Sequence, residues 1–321
     1  PPRSTLFPST TLFRSLDLSR ERSRKRRALL TGGILLPALV GSLIAGLWEM
    51  KPSGQANKQM YQVMTNTDGR VLWTRWNEMS RVDVVDPGDR RTRYIFTDGG
   101  AVSFMYRFDG DLRAVGDLRR DNGFFPLANG DHERVAIVGA GGGKDVLVSL
   151  LAGAKKITAI EINRGVIEAM ERFRGYNGAL YDRPDVQLVT GDGRRFLENT
   201  GQRFDVIYLP LVMTQAAGSI GQGLVENHTF TKEAFRTYLR KLTPGGRLVL
   251  KLHDQTDLAK AVFTAVQVLG ETVGETRATR HLYILNGMGH GDVMYPVLVI
   301  GKAPLSTAAC QIGRASCWGR V

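Results

Sequence analysis

The stretch Val135-Ala-Ile-Val-Gly-Ala-Gly-Gly-Gly-Lys-Asp145 decides the fold of this 321-residue chain. Four apolar residues run into a glycine-rich turn, and a second apolar stretch, residues 146–151, follows at once. A short apolar run of this kind is typical of a buried parallel strand, and the residues after the turn favour a helix. Glycines between the two let a ligand approach backbone amides at a helix start. The pattern therefore predicts a strand, a ligand-binding turn and a helix.

Strand and helix patterns alternate from residue 134 onward, which predicts βαβ units and a parallel sheet. Further strands are expected at 157–161, 186–190, 204–209 and 247–252, the last after a turn at 243–246. Helices are expected around 166–173, 235–242 and 258–269, and an antiparallel pair at 281–285 and 293–300 closes the pattern. This order predicts an α/β fold over residues 130–305, with the Rossmann-like sheet of the class I S-adenosylmethionine-dependent transferases.

A different pattern precedes this domain. Short β-branched and aromatic runs occur at 71–76, 80–85 and 93–97, and the turn signals Pro87-Gly88 and Asp98-Gly-Gly100 separate them. Such runs with glycine and proline between them are typical of antiparallel strands. We therefore expect a small antiparallel β domain over residues 60–115.

Two acidic residues follow the glycine loop at positions where a nucleoside ligand needs them. Glu161 ends the second predicted strand, 22 residues after Gly139, where a carboxylate can accept both ribose hydroxyls. Asp192 stands between two glycines after the third strand and can accept from an adenine amino group. The alternatives are a solvated acid at a strand end for Glu161 and an Asp-Gly turn for Asp192.

The glycine loop itself favours an adenosyl ligand over a dinucleotide. Lys144 takes the place of the last glycine of the dinucleotide fingerprint, so that motif is incomplete. A donor such as S-adenosylmethionine needs backbone approach but has no pyrophosphate. We therefore predict that Gly139, Gly141, Gly143, Glu161, Asp192 and Gly193 bind the donor. Asp145 and Tyr208 are further candidates for its pocket.

Composition excludes several classes of function once the chain ends are set aside. Residues 1–15 and 311–321 resemble translated sequencing-adapter read-through, and removing their four arginines lowers the net charge from +12 to +8. Residues 16–28 hold another +4, so the domain carries no strong basic bias and we expect no nucleic-acid partner. Two cysteines near the C-terminus and five histidines without ligand spacing predict neither a disulfide framework nor a metal site.

Residues 29–48 form a run of 20 residues without charge, from Leu29 to Trp48, after the basic segment 16–28. This length is enough to cross a hydrocarbon core of about 30 Å, and its glycines and proline suit a membrane helix better than a soluble one. A secretory signal and a buried soluble helix are the alternatives. The basic flank taken alone would place the domain outside. We predict a transmembrane helix at 29–48 and a membrane protein with a cytoplasmic catalytic domain.

Several motifs together resemble the spermidine synthase (polyamine aminopropyltransferase) family, and most of all its membrane-fused branch. They are Ile137-Val-Gly-Ala-Gly-Gly-Gly143, Ala159-Ile-Glu-Ile-Asn163, Val189-Thr-Gly-Asp-Gly-Arg-Arg-Phe-Leu197, Phe204-Asp-Val-Ile-Tyr208, Phe230-Thr-Lys-Glu-Ala-Phe235 and Leu242-Thr-Pro-Gly-Gly246. The resemblance covers roughly residues 70 to 302. It implies an adenosyl donor, decarboxylated S-adenosylmethionine, held by Gly139, Gly141, Glu161, Asp192 and Gly193. It also implies a small-molecule acceptor such as a polyamine, and it leaves open a homodimer.

The departures from the family fall where the acceptor chemistry belongs. The family carries an aspartate after the fourth strand, whereas this chain has the uncharged stretch Tyr208-Leu-Pro-Leu-Val-Met-Thr214. The family's Tyr-His-Glu motif is also absent, and Asn122-Gly-Phe-Phe-Pro126 stands in its place. A protonated amine needs a base. We therefore name Glu226, His228 and Tyr208 as candidate catalytic residues, in or next to the long loop at 210–231.

Three functions remain open from the sequence. Family resemblance favours aminopropyl transfer from decarboxylated S-adenosylmethionine to a polyamine. The missing aspartate fits methyl transfer from S-adenosylmethionine equally well, because that reaction needs no base for an acceptor that is already anionic. A membrane-tethered nucleoside-binding module without turnover is the third possibility.

Overall fold

The computed structural model describes residues 58–212, 228–285 and 295–305, and the single positions Pro37, Val40 and Gly41. The chain divides into two compact units, Pro1–Gly54 and Gln55–Val321, and the second holds both predicted domains. Glu226, both chain ends and nearly all of the predicted transmembrane segment lie outside the described residues. Within the part of the chain that is described, no helix combines the length and apolar character that a membrane crossing needs. The transmembrane helix therefore stays a prediction.

The first part of the second unit is the expected antiparallel β domain, with one strand more than the sequence indicated. Helix α1 (Gln59–Asn66) precedes strands β1 (Arg70–Trp76), β2 (Arg81–Asp86), β3 (Thr92–Thr97) and β4 (Ala101–Tyr106). The four strands pair antiparallel in sequence order. The unpredicted strand β4 pairs with β3 across the turn at Asp98–Gly100, because both backbones stay extended on either side of it.

The larger sheet has the predicted Rossmann-like order. Its strands are β5 (Arg134–Val138), β6 (Lys156–Glu161), β7 (Val186–Thr190), β8 (Phe204–Pro210), β9 (Leu242–Lys251), β10 (Leu282–Leu285) and β11 (Val297–Gly301). They lie in the order β10-β11-β9-β8-β5-β6-β7, with β5 to β9 parallel and β10 and β11 antiparallel. The chain reverses its direction of strand addition between β5 and β8, and ligands bind at such a switch point beyond the carboxyl ends of the strands.

Helices cover both faces of this sheet. They are α2 (Phe124–Ala128), α3 (Lys144–Leu151), α4 (Arg164–Arg172), α5 (Arg174–Asn177), α6 (Gly193–Asn199), α7 (Lys232–Lys241), α8 (Gln255–Val273) and α9 (Glu275–Ala278), with 3-10 turns that include Leu112–Arg120 and His228–Phe230. Thr231 caps the N-terminus of α7, since its hydroxyl accepts from Ala234 N. Helix α8 is longer than the expected 258–269.

Neighbouring residues of β5 enter different cores, because side chains of a strand alternate between the two faces. Val135 and Ile137 join the core formed with the β domain and α3, whereas Ala136 and Val138 join the core formed with α7 and α8. Burial on both faces explains why the sequence of β5 is a continuous apolar run.

The predicted turn at 243–246 lies inside β9 as an irregularity. Leu242 pairs with Phe204 of β8, but the next pair joins Arg247 with Val206, so residues 243–246 bulge out of the ladder. Arg247 is buried, and its guanidinium donates to the carbonyl oxygens of Pro126, Leu127 and Asp131. Burial lowers the pKa of Arg247 to about 10. These bonds fix α2 and the segment after it against the sheet.

Candidate functional site

The glycine loop after β5 has the sharp backbone that its sequence predicts. Gly139, Gly141 and Gly143 have φ angles of +77°, +55° and +84°, in the left-handed region that favours glycine. The amides of Gly139 and Ala140 donate to Ile160 O, and Gly143 caps the start of α3. The loop is thus held against β6 at the switch point of the sheet.

Glu161 lies directly against this loop. Its Oε2 accepts from Gly141 N at 2.9 Å and its Oε1 accepts from Asn163 N at 2.8 Å. The side chain is buried, and burial raises the pKa of Glu161 although these amides oppose the shift. A carboxylate oxygen has a second lone pair, so each oxygen can also accept a ligand hydroxyl. The structure therefore brings together the loop and the carboxylate that the sequence paired as a donor site.

Strand β4 covers the glycine loop from the other side. Ser103 Oγ accepts from Gly142 N at 2.7 Å, and Met105 forms an antiparallel bridge with Gly143. Tyr181 donates its hydroxyl proton to Gly141 O at 2.6 Å. Neither Ser103 nor Tyr181 belongs to a recognisable motif, so neither was predicted as a site residue from the sequence. The β domain is therefore part of the site and not a separate attachment.

Gly142→Ala is expected to lower the free energy of unfolding by about 1–3 kcal/mol, because a side chain there overpacks the contact with β4. A Cβ atom at this position would stand 2.6 Å from the backbone carbon and oxygen of Phe104. Chemical denaturation of the full chain measures the change. Gly175→Ala is the matched control, since a Cβ atom there meets nothing within 4 Å. Equal stability of the two variants would show that β4 does not seal the loop.

Asp192 and Gly193 lie at the end of β7, one parallel strand further out. Asp192 is exposed and caps the N-terminus of α6, since its carboxylate accepts from Arg195 N at 2.7 Å. Gly193 packs closely on β5, because a Cβ atom there would stand 2.5 Å from Val138 Cγ1. The capping bond uses Asp192 Oδ1, which leaves Oδ2 for a ligand. Arg194 donates to His228 O at 2.9 Å, so the predicted catalytic residue His228 lies beside α6. Glu226 lies outside the described residues.

A charged cluster that the sequence did not predict lies at the carboxyl ends of β5, β8 and β9. Asp121 Oδ2 lies 2.9 Å from Lys144 Nζ, and both oxygens of Asp121 accept from Lys251 Nζ at 2.9 and 3.0 Å. The Asp121 and Lys251 side chains are only 2% and 3% exposed. One carboxylate therefore bridges two ammonium groups in the interior, an arrangement that is costly unless each charge is paired.

The ionisation of this cluster follows from its charges. Burial acts to raise the pKa of Asp121, but Lys144 and Lys251 outweigh it and hold that pKa far below its usual range. Burial acts to lower the pKa of Lys144, whereas Asp145 and Asp121 raise it more strongly. Burial and the neighbouring Lys144 lower the pKa of Lys251. Lys251 is thus the cation of the pair that loses its proton more readily.

Asp145 and Tyr208, predicted to line the donor pocket, border this cluster. Asp145 Oδ1 lies 4.0 Å from Lys144 Nζ. Tyr208 is fully buried, and its hydroxyl faces the carboxylate of Asp145. Burial, with the nearby carboxylates of Asp145 and Asp121, raises the pKa of Tyr208 far above its usual range. Tyr208 therefore lies beneath the pocket and not at its surface.

The sequence contains a signal for each residue of this cluster, although none of the three was predicted as a site residue. Asp121 immediately precedes the segment that replaces the family's Tyr-His-Glu motif, and Lys144 is the residue that breaks the dinucleotide fingerprint. Lys251 is a charged residue that directly follows the apolar run 248–250, at the end where parallel strands present ligand-binding residues. Among the described residues, no group of three or more His, Cys, Asp or Glu side chains could hold a metal ion.

Comparison with protein families agrees with this geometry. The spermine/spermidine synthase domain family matches residues 124–289, more than half of the chain. The chain is 34% identical over 125 residues to a polyamine aminopropyltransferase of Hamiltonella defensa, and 34% identical over 125 residues to polyamine aminopropyltransferase 1 of Pseudomonas aeruginosa. Each match covers 38% of this chain, and 40% and 41% of those relatives. The matched part thus spans about two fifths of the curated relatives.

Solved structures support the fold. The spermidine synthase of Thermotoga maritima superposes with a TM-score of 0.53 at 16% identity, covering 75% of each chain. A probable spermidine synthase of Corynebacterium glutamicum gives 0.52 at 17% identity, covering 78% of this chain and 88% of that one. The Rossmann-like α/β prediction is confirmed at this level.

Proposed function

Because the chain belongs to the spermine/spermidine synthase family, we propose that it is a transferase that moves a propylamine chain from an adenosyl sulfonium donor to an amine acceptor. The observation that carries the proposal is Glu161 bonded to Gly141 of the left-handed glycine loop. This contact fixes the carboxylate beside the loop at the switch point, where an adenosyl ribose would bind.

Each part of the donor would have its own partner in the proposed site. Glu161 accepts hydrogen bonds from the two ribose hydroxyls through its remaining lone pairs, and Asp192 accepts a hydrogen bond from the adenine amino group. The glycines at 139, 141 and 143 allow the left-handed backbone of the loop beside which the nucleoside would lie. Methylthioadenosine, the nucleoside without the transferable chain, is therefore the simplest ligand for this half of the site.

The proposed reaction is a single displacement. The acceptor nitrogen attacks the methylene carbon next to the sulfonium, and the carbon–sulfur bond breaks with its electron pair on sulfur. Methylthioadenosine leaves, and the proton of the attacking amine passes to a base or to water. The named relatives are polyamine aminopropyltransferases, which favours a polyamine as acceptor and decarboxylated S-adenosylmethionine as the family's donor.

The base is the open part of this mechanism. The stretch that follows Tyr208 carries no carboxylate, and we propose Glu226 or His228, at the end of the loop after β8, for this role. The same neutral stretch supports the second candidate, methyl transfer from S-adenosylmethionine, because an anionic acceptor needs no base.

We also propose membrane attachment through Leu29–Trp48 with the catalytic domain in the cytoplasm, and assembly as a homodimer.

Product analysis tests the proposal directly. The full chain, incubated separately with each donor and a panel of amines, is expected to release methylthioadenosine from decarboxylated S-adenosylmethionine, and chromatography separates this product from S-adenosylhomocysteine. S-adenosylhomocysteine as the product would replace propyl-chain transfer with methyl transfer. Binding of methylthioadenosine without any product from either donor would leave a nucleoside-binding module.

A further inference from the structure

The turn between β1 and β2 is hydrogen-bonded to a residue that lies directly after the proposed donor carboxylate. Asn77 Nδ2 donates to Asn163 Oδ1 at 2.7 Å, across 86 positions of sequence. Asn163 Nδ2 in turn donates to Ser80 Oγ at 2.8 Å. Asn77 and Ser80 are the first and last residues of the turn that joins the two strands, and Asn163 is buried. The hairpin therefore holds both polar atoms of the Asn163 side chain.

Asn163 connects this hairpin to the donor site through its backbone. Its amide N donates to Glu161 Oε1 at 2.8 Å, and Oε2 of the same carboxylate accepts from Gly141 N at 2.9 Å. The Asn163 side chain also caps α4, since its Oδ1 accepts from Gly165 N at 3.0 Å. One chain of hydrogen bonds thus runs from the turn at 77–80, through Asn163, to the carboxylate and the glycine loop.

The hairpin also packs closely on the start of α4. A Cβ atom at Gly165 would stand 2.7 Å from Asn77 Nδ2 and 2.9 Å from Val82 Cγ2, and Val82 is fully buried. An ion pair between the exposed side chains of Arg75 and Glu168, at 3.1 Å, joins β1 to the same helix. Because close-packed contacts transmit strain, a change at the turn reaches the residues that begin this helix.

This chain of bonds holds the carboxylate in place before a nucleoside binds. Glu161 is buried and already accepts two backbone amides, so its remaining lone pairs keep a fixed direction. Preorganisation of this kind raises affinity, because binding does not have to order the side chain. Without the bond from Asn77, Asn163 keeps its helix cap but loses one of its two anchors to the hairpin. Its amide then holds Glu161 less firmly, and the nucleoside binds more weakly although no ligand contact is removed.

Resting on the proposed function, we infer that Asn77 and Asn163 are positioning residues, through which the β1–β2 hairpin sets the affinity of Glu161 for the ribose of the donor. They act through the carboxylate and not through a contact with the ligand. The spermine/spermidine synthase family match begins at residue 124, so the hairpin end of this link lies outside the matched part of the chain.

Asn77→Asp tests the link with little change to the turn itself. Its carboxylate can still accept from Met79 N and Ser80 N, as Asn77 Oδ1 does at 2.9 Å from each, but it cannot donate to Asn163. In calorimetry with the full chain, we expect methylthioadenosine to bind about threefold to tenfold more weakly, the effect of one hydrogen bond. Glu78→Gln, which changes the charge of an exposed residue in the same turn, is the matched control and should bind like the wild type.

A double-mutant cycle separates positioning from a general effect on stability. In a Glu161→Ala background, Asn77→Asp should cause no further loss of methylthioadenosine affinity, because the carboxylate that it positions is gone. In turnover assays with decarboxylated S-adenosylmethionine and an amine, the KM for the donor should rise in Asn77→Asp while kcat stays within about twofold of the wild type.

Gly165→Ala provides the same test if Asn77→Asp does not fold, since the added Cβ atom pushes the Asn77 amide away from Asn163. We expect a loss of affinity in the same direction. Equal methylthioadenosine affinity in the wild type and the folded variant, or the same loss with and without Glu161, would overturn the inference and leave the donor site in place. If the wild type does not bind methylthioadenosine at all, the proposed function fails together with the inference.

Discussion

Asp121→Asn is expected to lower the free energy of unfolding by about 3–5 kcal/mol, because it removes the charge that pairs with two buried ammonium groups. The amide keeps the size of the side chain, so the loss reports charge and not packing. Asp121 is within 3.0 Å of both Lys144 Nζ and Lys251 Nζ, and Gly123 N donates to its Oδ1 at 2.8 Å. Urea denaturation of the full chain at neutral pH measures the change.

Asp182→Asn is the matched control for this effect. Asp182 pairs with Arg174 at 2.7 Å, but the two side chains are 58% and 66% exposed, so we expect at most about 1 kcal/mol. Lys251→Met added to Asp121→Asn should recover part of the loss, because one uncompensated cation disappears. A loss in Asp121→Asn no larger than in the control would contradict a buried, paired cluster.

The pH dependence of stability follows from the same pairing. The pKa of Asp121 is lower in the folded state than in the unfolded chain, so its contribution is fully present above the unfolded value of about 3.9. This contribution is lost as the pH falls below that value toward the folded pKa. Between about pH 5 and pH 2 the wild type should therefore lose more stability than Asp121→Asn. Parallel curves for the two proteins would contradict the assignment.

Glu161→Ala is expected to weaken methylthioadenosine binding by about one to two decades, or about 1.5–3 kcal/mol, through loss of a bidentate charged contact to ribose. The structure adds a second consequence. Glu161 also accepts from Gly141 N and Asn163 N, so the alanine variant leaves two amides without their acceptor. We expect a lower midpoint of thermal unfolding together with weaker binding.

Two further variants separate the two roles of Glu161. Glu161→Gln retains one carbonyl oxygen for a loop amide, so it should recover part of the stability but little of the affinity. Glu171→Ala removes an exposed acid from the neighbouring helix α4 and should change neither. Nucleoside affinity that is the same in wild type and Glu161→Ala would remove Glu161 from the donor site and leave it a purely structural residue.

The sequence determined the fold class and the placement of Glu161 beside the glycine loop. Apolar runs such as residues 135–138 must be buried on both faces, and an alternating βαβ pattern allows only a parallel sheet with helices on each side. Carboxyl ends of neighbouring parallel strands meet at one edge, which is why Glu161 could be placed beside the glycine loop without coordinates. These rules are local, because each one can be applied once it is known which strand a residue belongs to and where in that strand it lies.

Tertiary structure alone decided which residues surround the glycine loop and Glu161. Ser103 reaches Gly142 across 39 positions of sequence, and Lys251 reaches Asp121 across 130. No periodicity or spacing connects such residues, because their approach depends on how the β domain and the 3-10 segment Leu112–Arg120 pack on the sheet. From the sequence, only the missing aspartate after Tyr208 is apparent. Packing brought Asp121, Lys144 and Lys251 together beneath that position, since a buried charge is stable only where the fold delivers its counter-charges.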